Sequence, residues 1–324
     1  MIHIVLLGRL AAGLAPDLSR RIKHPHTMTA VPDVSKIDEF AEALAEAHVL
    51  VGWPLTDALV ARAPKLQLAQ ASGAGIDGLN PDTLPPGVKL ANTFHHEAAI
   101  AEYVLMAMLW FTRQPQEYDA RMRAGNWFGS CIWGATPVMR ELRGRTALIL
   151  GLGHIAREVA VRARAFGMKL IGVSRRAEPD AHYDEVIGWD SWQSRLPETD
   201  FLVPCCPLTP ETLGLVNAGI YAQLPRTAVV INMARGRVLD EQATYDALRS
   251  GRIAGAALDV WYQYPRTENE VCLPSRLPFH ELPNVLLSPH NSAWTEPTIA
   301  GRVVDIAENV NRLVEGRPLL HQLR

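Results

Sequence analysis

Short apolar runs alternate with amphipathic stretches along the chain, a pattern typical of parallel sheets flanked by helices. Near the N-terminus it predicts a helix over Asp57–Ala63 and strands over Ile2–Leu7, His48–Gly52, Leu66–Ala71 and Val88–Asn92. From residue 146 onward it predicts strands over Ala147–Leu150, Lys169–Ser174, Glu185–Trp189, Phe201–Cys206, Ala228–Met233, Gly255–Val260 and Val285–Ser288. Helices are predicted between them, among others over Ile155–Phe166 and Glu241–Ser250. We therefore expect an α/β fold, with a complete doubly wound parallel sheet in the second series.

Two longer helical patterns stand out, Glu97–Arg113 and Pro297–Glu315. If both cross between domains, the N-terminal strands and the C-terminal tail form one discontinuous domain. We therefore expect residues 1–96 and 292–324 to make one domain and residues 97–291 to make the other.

The stretch Gln114–Leu142 has neither a helical nor a strand period and is predicted to be irregular. It holds Trp127, Phe128 and Trp133 among arginines and glycines. A loop of that length needs a function, and exposed aromatic side chains there would suit a subunit contact. The alternative is that the rings are buried against their own domain.

Composition and charge narrow the class of protein. The 324 residues are 48% hydrophobic and carry a net charge of −2, which gives no basic footprint for nucleic acid or a membrane surface. The four cysteines match neither a zinc site nor a redox pair, which favours free thiols in a reducing compartment. The apolar segment Met1–Gly8 is brief and lacks a basic start, so we interpret it as a strand and expect a cytoplasmic protein.

A glycine-rich turn in the middle of the chain is the first sign of chemistry. The apolar strand from Thr146 runs into Gly151, Gly153 and Ala156, a Gly-x-Gly-x-x-Ala pattern that opens a helix. In such a turn the first glycine permits the tight bend and the second lets the backbone approach a pyrophosphate, which the helix N-terminus attracts. The pattern predicts a dinucleotide site in a Rossmann domain.

Further motifs follow in an order found in one known family. They are Pro207–Thr212, Ile231–Glu241, Ala247–Gly251, Ala257–Val260 and Pro283–His290, with Gly73–Asp77 and Ala101–Glu102 agreeing earlier in the chain. Through these motifs nearly the whole chain resembles the D-isomer-specific 2-hydroxyacid dehydrogenases. The resemblance implies a cofactor domain inserted into a smaller, flavodoxin-like substrate domain, with the active site in the cleft between them. It also implies a homodimer formed through the cofactor domains.

Reduction of a 2-oxo acid requires that the carboxylate be held, the carbonyl polarised and a proton delivered to the developing alkoxide. By resemblance, Arg235 clamps the carboxylate and carbonyl oxygens, and His290 donates the proton. The alternatives are a surface ion pair for the arginine and a structural role for the histidine. The backbone amides of Gly73, Ala74 and Gly75 are the remaining carboxylate donors that we expect, unless this loop is an ordinary strand-ending turn.

Other residues are expected near the substrate. His95 and His96 lie at the cleft by resemblance, and neighbours in an extended segment point to opposite faces. One of them, His96, is therefore expected to touch the substrate, and no metal site is predicted. Trp294 and the insertion after Pro265 would set the size of the pocket.

The residues that we predict to bind the cofactor follow strand ends of the Rossmann domain. They are Gly151, Gly153, His154, Ile155, Ser174, Arg175, Arg176, Cys206, Pro207, Thr212, Ala234 and Asp259. Asp259 resembles the family aspartate that holds the nicotinamide carboxamide, with a helix cap or hinge contact as the alternative. For Cys205 and Cys206 we expect packing beside the cofactor groove more than thiol reactivity.

The end of the second Rossmann strand bears on which cofactor binds. In sites that prefer NAD(H), an acidic residue there binds the ribose hydroxyls. Here Ser174 takes that position, and Arg175 and Arg176 follow it. A guanidinium can clamp a 2′-phosphate, so we predict NADP(H) over NAD(H), with a solvated turn as the alternative.

One position departs from the family pattern. The family usually carries a glutamate that pairs with the histidine and raises its pKa, and Tyr264 stands in its place. A phenol can hydrogen-bond an imidazole but does not stabilise its cation electrostatically at neutral pH. Either His290 is a weaker base here, or another carboxylate serves it, with Glu97, Glu268 and Glu270 as candidates.

The sequence thus predicts an NAD(P)-dependent oxidoreductase that interconverts a small 2-oxo acid, such as glyoxylate or hydroxypyruvate, and a D-2-hydroxy acid. One alternative is formate-dehydrogenase-like oxidation, since those relatives also carry Asp-Val-Trp and a glutamine near the histidine. Gln263, however, is one position out of register with that glutamine. A second alternative is a dinucleotide-sensing, non-catalytic protein, although no disordered tail or partner-peptide signature supports it.

Overall fold

The computed structural model describes residues 1–53, 55–77, 79–132, 138–265 and 270–324. Trp133 and Glu268 of the sequence analysis lie outside the described residues. The chain divides into two compact units. The first joins Met1–His95 to Trp294–Arg324, and the second comprises His96–Ala293. Each unit has its own all-parallel sheet, which confirms the α/β class.

The first unit is a five-stranded sheet with helices on it. Its strands are β1 (Ile2–Leu7), β2 (His26–Val31), β3 (Val49–Gly52), β4 (Leu68–Ala71) and β5 (Lys89–Ala91), in the order β2-β1-β3-β4-β5. Its helices are α1 (Gly8–Gly13), α2 (Ala15–Arg21), α3 (Ala41–Ala45), α4 (Asp57–Ala61) and, from the end of the chain, α10 (Glu296–Val314). Val34–Phe40 and Pro81–Thr83 form 3₁₀ turns. The strand order reverses between β1 and β3, so the carboxyl ends of these strands form a crevice of the kind that binds ligands in open α/β sheets.

The predicted strands of this unit are confirmed within two residues at each end, but the sequence did not indicate β2. Only Val31 of its six residues is buried, because β2 lies at the edge of the sheet and packs little of its surface into the core. An edge strand needs no continuous apolar run, so hydrophobicity alone could not predict it.

The second unit is a seven-stranded sheet. Its strands are β6 (Thr146–Leu150), β7 (Lys169–Ser174), β8 (Glu185–Gly188), β9 (Phe201–Pro204), β10 (Val229–Asn232), β11 (Gly255–Leu258) and β12 (Val285–Leu287), in the order β12-β11-β10-β9-β6-β7-β8. Its helices are α5 (Glu97–Arg113), α6 (Pro115–Arg123), α7 (His154–Ala165), α8 (Ala218–Gln223) and α9 (Glu241–Arg249), with 3₁₀ turns at Trp192–Glu198, Gly236–Val238 and Phe279–Glu281. The order reverses between β6 and β9, which places the switch point of the sheet beside the glycine-rich turn.

The central strands of this sheet are apolar along their whole length because helices cover both faces. Every residue of β6, β9, β10 and β11 is buried. One face packs against α5 and α7, and the other packs against α8, α9 and the buried rings of Trp192 and Phe279. A sheet held rigidly from both sides fixes the loops at its carboxyl edge, where the candidate site lies.

The expectation of an irregular segment over Gln114–Leu142 was wrong for α6. No residue of α6 is buried, and ion pairs four residues apart, Glu117–Arg121 and Asp119–Arg123, support it instead of an apolar stripe. The sequence therefore carries no apolar period there. Beyond α6, Trp127 and Phe128 are exposed, and Arg121 lies over the Phe128 ring at 4.5 Å. Within the described ranges, no helix is long and apolar enough to cross a membrane.

Candidate active site

The glycine-rich turn has the geometry of an anion cradle. Gly151 follows β6 with φ +92°, a conformation that favours glycine, and a β-carbon there would come within 3.0 Å of the Cys206 backbone. Gly153 caps α7, and a β-carbon on it would meet no described atom within 4 Å. Among described residues, no side chain caps this helix and its first turn holds no acidic residue. The open space and the uncapped amides fit a pyrophosphate at the helix N-terminus, beginning at His154 and Ile155.

The neighbouring strand ends line the same edge with small apolar groups. Cys206 after β9 and Ala234 after β10 are both buried and pack together with Val238. Pro207 continues the loop, and its carbonyl accepts a hydrogen bond of 2.6 Å from the hydroxyl of buried Thr212. The thiol of Cys206 stays protonated at neutral pH because burial raises its pKa to about 11. This wall is rigid, uncharged and close to Gly151, as a dinucleotide groove requires.

The turn after β7 carries the predicted selectivity residues. The Ser174 hydroxyl accepts a hydrogen bond of 3.1 Å from the Ala177 amide, and Ala177 has φ +51°. This side-chain cap turns the chain sharply and leaves Arg175 and Arg176 exposed. Neither arginine forms a hydrogen bond or ion pair with another described residue. Two guanidinium groups are thus presented at the end of the second Rossmann strand.

One acidic residue lies close to these arginines. The pKa of Glu211 is lowered first by a hydrogen bond from the Thr209 hydroxyl, and more weakly by the charge of Arg175. The carboxyl is fully exposed, so water screens this attraction. Arg175 therefore has a nearby counter-charge.

Arg235 follows β10 on a turn that Asn232 holds in place. The Asn232 amide donates to the Arg235 carbonyl at 2.9 Å and accepts from the Ala234 amide at 3.1 Å. The Arg235 side chain is half-buried, and its Nη1 donates to the Ala234 carbonyl at 2.9 Å. A β-carbon on Gly236 would lie 2.2 Å from the Trp261 carbonyl oxygen, so only glycine fits next to the arginine. Local packing therefore specifies the turn that presents the guanidinium.

His290 lies on a loop that Asp259 organises. Its φ of +56° is rare for a residue with a side chain, and such strain persists only where the surroundings impose it. Asp259, at the end of β11 and 1% exposed, accepts hydrogen bonds from the amides of Asn291 and Ser292 and from the hydroxyls of Ser288 and Ser292. These four groups flank His290 on both sides. The carboxylate thus holds the loop in its strained conformation.

Tyr264 contacts His290 directly. Its hydroxyl lies 3.2 Å from Nδ1 of the imidazole and accepts a hydrogen bond of 3.1 Å from the Trp261 amide. The Trp261 indole N–H donates to the Ser288 carbonyl at 2.7 Å, so the segment that carries Tyr264 is tied to the loop that carries His290. The position that the family fills with a carboxylate therefore holds an uncharged partner at hydrogen-bond distance.

Within the described residues, the other candidate carboxylates do not take the place of the Tyr264 phenol beside His290. Glu97 begins α5, is partly exposed and makes no hydrogen bond or ion pair with another described residue. Glu270 is exposed and directly follows the segment 266–269, which includes Glu268 and lies outside the described residues. The observed neighbour of His290 is thus the Tyr264 phenol.

In the first unit, the loop Gly73–Gly75 follows β4. The Gly73 carbonyl accepts from the Thr93 amide at 3.3 Å, and the Ala74 carbonyl accepts from the Asn92 side-chain amide at 2.9 Å. Because a trans peptide points its N–H opposite to its C=O, the amides of Ala74 and Gly75 face away from these partners. Neither amide therefore points at the side chain or amide that holds the carbonyl of its own peptide unit. Successive backbone N–H groups are the kind of donor that binds an oxyanion in a nest.

The predicted histidines differ in environment. His95, with φ +70°, is bound within the first unit by a contact of 2.8 Å between its Nε2 and buried Asp305 on α10. His96 caps α5 and is 7% exposed. Trp294 is 61% exposed. The structure thus gives His95 a structural partner, buries His96 and leaves Trp294 accessible.

Sequence reasoning missed four residues that shape these loops. Asn92, Trp261 and Ser288 orient the backbone through the hydrogen bonds above, and Tyr103 on α5 contacts the Ser288 hydroxyl at 2.6 Å. Burial raises the pKa of Tyr103, so it stays a neutral phenol. Each of these residues acts through a partner distant in sequence, and no local pattern could have indicated them.

The chain is similar to known proteins in sequence and in fold. Residues 105–292 match the family model described as the NAD-binding domain of D-isomer-specific 2-hydroxyacid dehydrogenases. A glyoxylate/hydroxypyruvate reductase B from Pectobacterium carotovorum is 33% identical over 290 residues, which cover 88% of this chain and 87% of that protein. The solved structure of an NADPH-dependent glyoxylate/hydroxypyruvate reductase from Sinorhizobium meliloti, in complex with NADP and sulfate, has a TM-score of 0.80 and 26% identity. It covers 100% of this chain and 98% of that one.

A longer relative is also similar. The D-3-phosphoglycerate dehydrogenase of Methanocaldococcus jannaschii is 30% identical over 285 residues, and the match covers 86% of this chain but 52% of that protein. The chain thus spans about half the length of the D-3-phosphoglycerate dehydrogenases that it matches.

A doubly wound parallel sheet with a glycine-rich turn at its switch point is typical of dinucleotide-binding domains. The chain belongs to the D-isomer-specific 2-hydroxyacid dehydrogenase family, whose members are NAD(P)-dependent oxidoreductases. The resemblance noted in the sequence is therefore confirmed at the level of the family.

Proposed function

We propose that the protein reduces a small 2-oxo acid, such as glyoxylate or hydroxypyruvate, to the D-2-hydroxy acid with NADPH as the reductant. One observation carries the proposal. Arg235, Asp259 and His290 follow β10, β11 and β12, three adjacent strands of one sheet, and therefore emerge at the same carboxyl edge as the Gly151 cradle. An oxyanion clamp, a loop anchor and a titratable imidazole are thus gathered at the edge where α/β sheets bind ligands.

The roles follow from the chemistry of each group. The guanidinium of Arg235 binds the carboxylate and carbonyl oxygens of the substrate and withdraws charge from the carbonyl. NADPH, when bound, supplies the hydride. The protonated ring of His290 donates its Nε2 proton to the developing alkoxide. While the ring is protonated, its Nδ1–H donates to the Tyr264 oxygen. Tyr264 therefore fixes which nitrogen transfers the proton.

The carboxylate of the substrate needs a second set of donors. The outward amides of Ala74 and Gly75 on the Gly73–Gly75 loop supply them, in line with the assignment of residues 1–96 and 292–324 as the substrate domain. His96 and Trp294 remain proposed substrate-binding residues. Of the two, the exposed Trp294 is better suited to contact a ligand. The first unit is thus assigned to recognition and residues 97–291 to cofactor binding.

The proposed preference for NADPH rests on the turn after β7. Ser174 stands where NAD(H)-preferring sites carry a carboxylate that would repel a 2′-phosphate, and Arg175 and Arg176 are exposed beside it. The relative from S. meliloti is described as NADPH-dependent and was solved with NADP, which supports the same choice here. The other proposed cofactor contacts are His154, Ile155, Cys206, Pro207, Thr212, Ala234 and, at the carboxamide, Asp259.

A further part of the proposal concerns the assembly of the protein. We propose a homodimer formed through the cofactor domains, supported by the exposed Trp127 and Phe128 beyond α6. The measurement that tests it is the mass in solution by light scattering, where a monomer at micromolar concentration would contradict it.

The reaction is tested by initial rates of NADPH and NADH oxidation with glyoxylate, hydroxypyruvate and pyruvate in parallel. We expect turnover on at least one acid, faster with NADPH, and its loss in His290→Asn. No turnover on any acid, with cofactor still bound, would contradict the reductase proposal and favour the dinucleotide-sensing alternative.

Cofactor choice is tested by Arg175→Ser with Arg176→Ser. A charge-assisted contact to a phosphate contributes about 1.5–3 kcal/mol, so KM for NADPH should rise about ten- to a hundredfold while KM for NADH changes little. Arg249→Ser, at the exposed end of α9, is the matched control and should alter neither constant. An equal rise in both constants would contradict the phosphate clamp.

A further inference from the structure

Asp305 of α10 is a buried carboxylate that the reaction proposed above does not use. It is 6% exposed, and three side chains of the first unit converge on its Oδ2. The Thr93 hydroxyl donates to this oxygen at 2.9 Å, and Nε2 of His95 lies 2.8 Å from it. Nε2 of His321 lies 3.5 Å from the same atom. The carboxylate thus joins α10 to the residues that follow β5 at the carboxyl edge of the sheet.

The backbone of residues 92–95, which follow β5, needs this support. His95 has φ +70°, a conformation that is rare for a residue with a side chain and that persists only where the surroundings impose it. The hydroxyl of Thr298, also on α10, donates to the His95 carbonyl at 2.9 Å. Together with the contact to Asp305, this hydrogen bond fixes both the ring and the carbonyl of the strained residue. Helix α10 therefore sets the path of the chain after β5.

The residues after β5 in turn hold the loop after β4, which is proposed to bind the carboxylate of the substrate. The Gly73 carbonyl accepts from the Thr93 amide at 3.3 Å. The Ala74 carbonyl accepts from the Asn92 side-chain amide at 2.9 Å. Thr93 is therefore bound at both ends, by its hydroxyl to Asp305 and by its amide to the loop. A chain of hydrogen bonds leads from α10 to the peptide of Gly73.

A carboxylate suits this junction because it only accepts hydrogen bonds, and one oxygen can accept from a hydroxyl and a ring N–H together. An apolar side chain in place of Asp305 would leave the buried Thr93 hydroxyl and the Nε2 of His95 without this acceptor. An unsatisfied buried donor costs free energy, which the chain can recover by shifting residues 92–95 toward other partners. Such a shift would move the peptides of the loop after β4.

We propose that Asp305 is a positioning residue that holds the Gly73–Gly75 loop, through Thr93, in the conformation that binds the carboxylate of the substrate. The inference rests on the proposed function, because that function assigns the loop to carboxylate binding. Asp305 acts on the loop and not on the reacting carbonyl. Its loss should therefore weaken the binding of carboxylates and leave the hydride-transfer step unchanged.

The test compares Asp305→Leu, which removes every acceptor at similar volume, with Asp305→Asn, which keeps a carbonyl oxygen for the same donors. Oxalate, a dicarboxylate of the size of glyoxylate, is titrated by calorimetry into the full chain saturated with NADP⁺. We expect the Kd of oxalate to rise about tenfold in Asp305→Leu and at most about threefold in Asp305→Asn. The KM for the 2-oxo acid should rise by the same factor at unchanged kcat, while the Kd of NADPH stays constant.

Glu308→Leu is the matched control, since Glu308 lies about one turn further along α10 and pairs with Arg312 and Arg317. It should leave the Kd of oxalate unchanged. Wild-type affinity for oxalate in an Asp305→Leu protein with native circular dichroism would overturn the proposal, and so would a fall in kcat at constant KM.

Thr93→Val tests the path of the effect, and it decides the proposal if Asp305→Leu does not fold. It removes the hydroxyl but keeps the amide that holds Gly73. We expect the Kd of oxalate to rise about three- to tenfold, and to rise no further in the double variant than in Asp305→Leu, because both changes break the same link. Wild-type affinity in Thr93→Val, or effects that multiply in the double variant, would overturn the proposal.

Thr112→Val is the control for this variant, because the buried Thr112 hydroxyl donates to Met108 within α5. It should bind oxalate as the wild type does.

Failure of the proposed reaction gives a different result. A wild-type protein that binds oxalate but reduces no 2-oxo acid would contradict the reaction alone. A tenfold ratio between the oxalate Kd of Asp305→Leu and that of the wild type would then still support the role of Asp305, and equal values would overturn it. A wild-type protein that does not bind oxalate would overturn that role directly.

Discussion

The phenolic oxygen of Tyr264 lies 3.2 Å from Nδ1 of His290 and accepts a hydrogen bond from the Trp261 amide. A phenolic oxygen can accept from this amide and from a protonated imidazole at once, and its O–H can donate to the neutral ring. An uncharged residue thus orients the ring in both protonation states. It does so without the electrostatic stabilisation of the cation that a carboxylate provides.

This relationship predicts the pH dependence of reduction. A carboxylate in place of the phenol favours the imidazolium, which raises the pKa of the ring. Reduction requires the protonated ring, so activity should persist to higher pH. In Tyr264→Glu we expect the upper limb of the pH profile of kcat/KM to move up by about one unit or more. The profile is measured from pH 5.5 to 9.5 with saturating NADPH.

Tyr264→Gln is the control for this experiment, because it removes the phenol without adding charge. It should lower kcat without moving the limb upward. If the upper limb of the pH profile of kcat/KM lay at the same pH in the wild type and in Tyr264→Glu, Tyr264 would not face the group that titrates.

The hydrogen bonds that the Asp259 side chain accepts predict a loss of turnover in Asp259→Asn. An amide has one accepting oxygen, and its NH₂ group would face the amide or hydroxyl donors of Asn291 and Ser292. The strained conformation of His290 would then lose its support. We expect kcat to fall by about a hundredfold, with a smaller change in the KM for NADPH. Steady-state kinetics with both substrates varied provide the measurement.

Asp246→Asn, on the surface of α9, serves as the comparison and should retain wild-type kinetics. If Asp259→Asn raised the KM for NADPH while kcat stayed constant, Asp259 would act on the cofactor alone, which would contradict its role in holding the loop of His290.

The tight packing of the turn that carries Arg235 predicts that the substitution Gly236→Ala lowers the stability of the protein strongly. A β-carbon in Gly236→Ala would lie 2.2 Å from the carbonyl oxygen of Trp261, and a backbone neighbour cannot move aside cheaply. We expect the free energy of unfolding to fall by about 2–4 kcal/mol, measured in urea. Gly13→Ala, where a β-carbon meets nothing within 4 Å, should cost less than about 1 kcal/mol. Equal stability of the two variants would contradict the packing described at Arg235.

Burial predicts which thiols react. Burial raises the pKa of Cys206 to about 11, so roughly one thiol in a thousand is ionised at pH 8, and it raises the pKa of Cys205 as well. Cys131 is exposed. With an aromatic disulfide reagent at pH 8 we expect Cys131 to react first, and Cys205 and Cys206 only after unfolding in urea. Mass spectrometry of the labelled peptides identifies the sites, and rapid labelling of Cys206 in the folded protein would contradict its burial.

The hydrophobic pattern predicted most strands of both sheets because the surroundings of those strands are almost entirely apolar. Strands such as β6 and β10 are buried on both faces, so their apolar runs are unambiguous. The edge strand β2 and the polar helix α6 escaped prediction for the opposite reason. Neither buries a continuous apolar face, and what stabilises each of them lies in its pairing or in its surface charges.

The sequence by itself determined the α/β class, the glycine cradle and the family, since each depends on residues close together in the chain. Only the tertiary structure decided that Tyr264 is the hydrogen-bonded neighbour of His290 and that Asp259 anchors the loop of the imidazole. In these pairs the partners are separated by 26 and 32 positions respectively. Such contacts arise when strands and helices far apart in sequence are packed side by side, and local propensity carries no information about them.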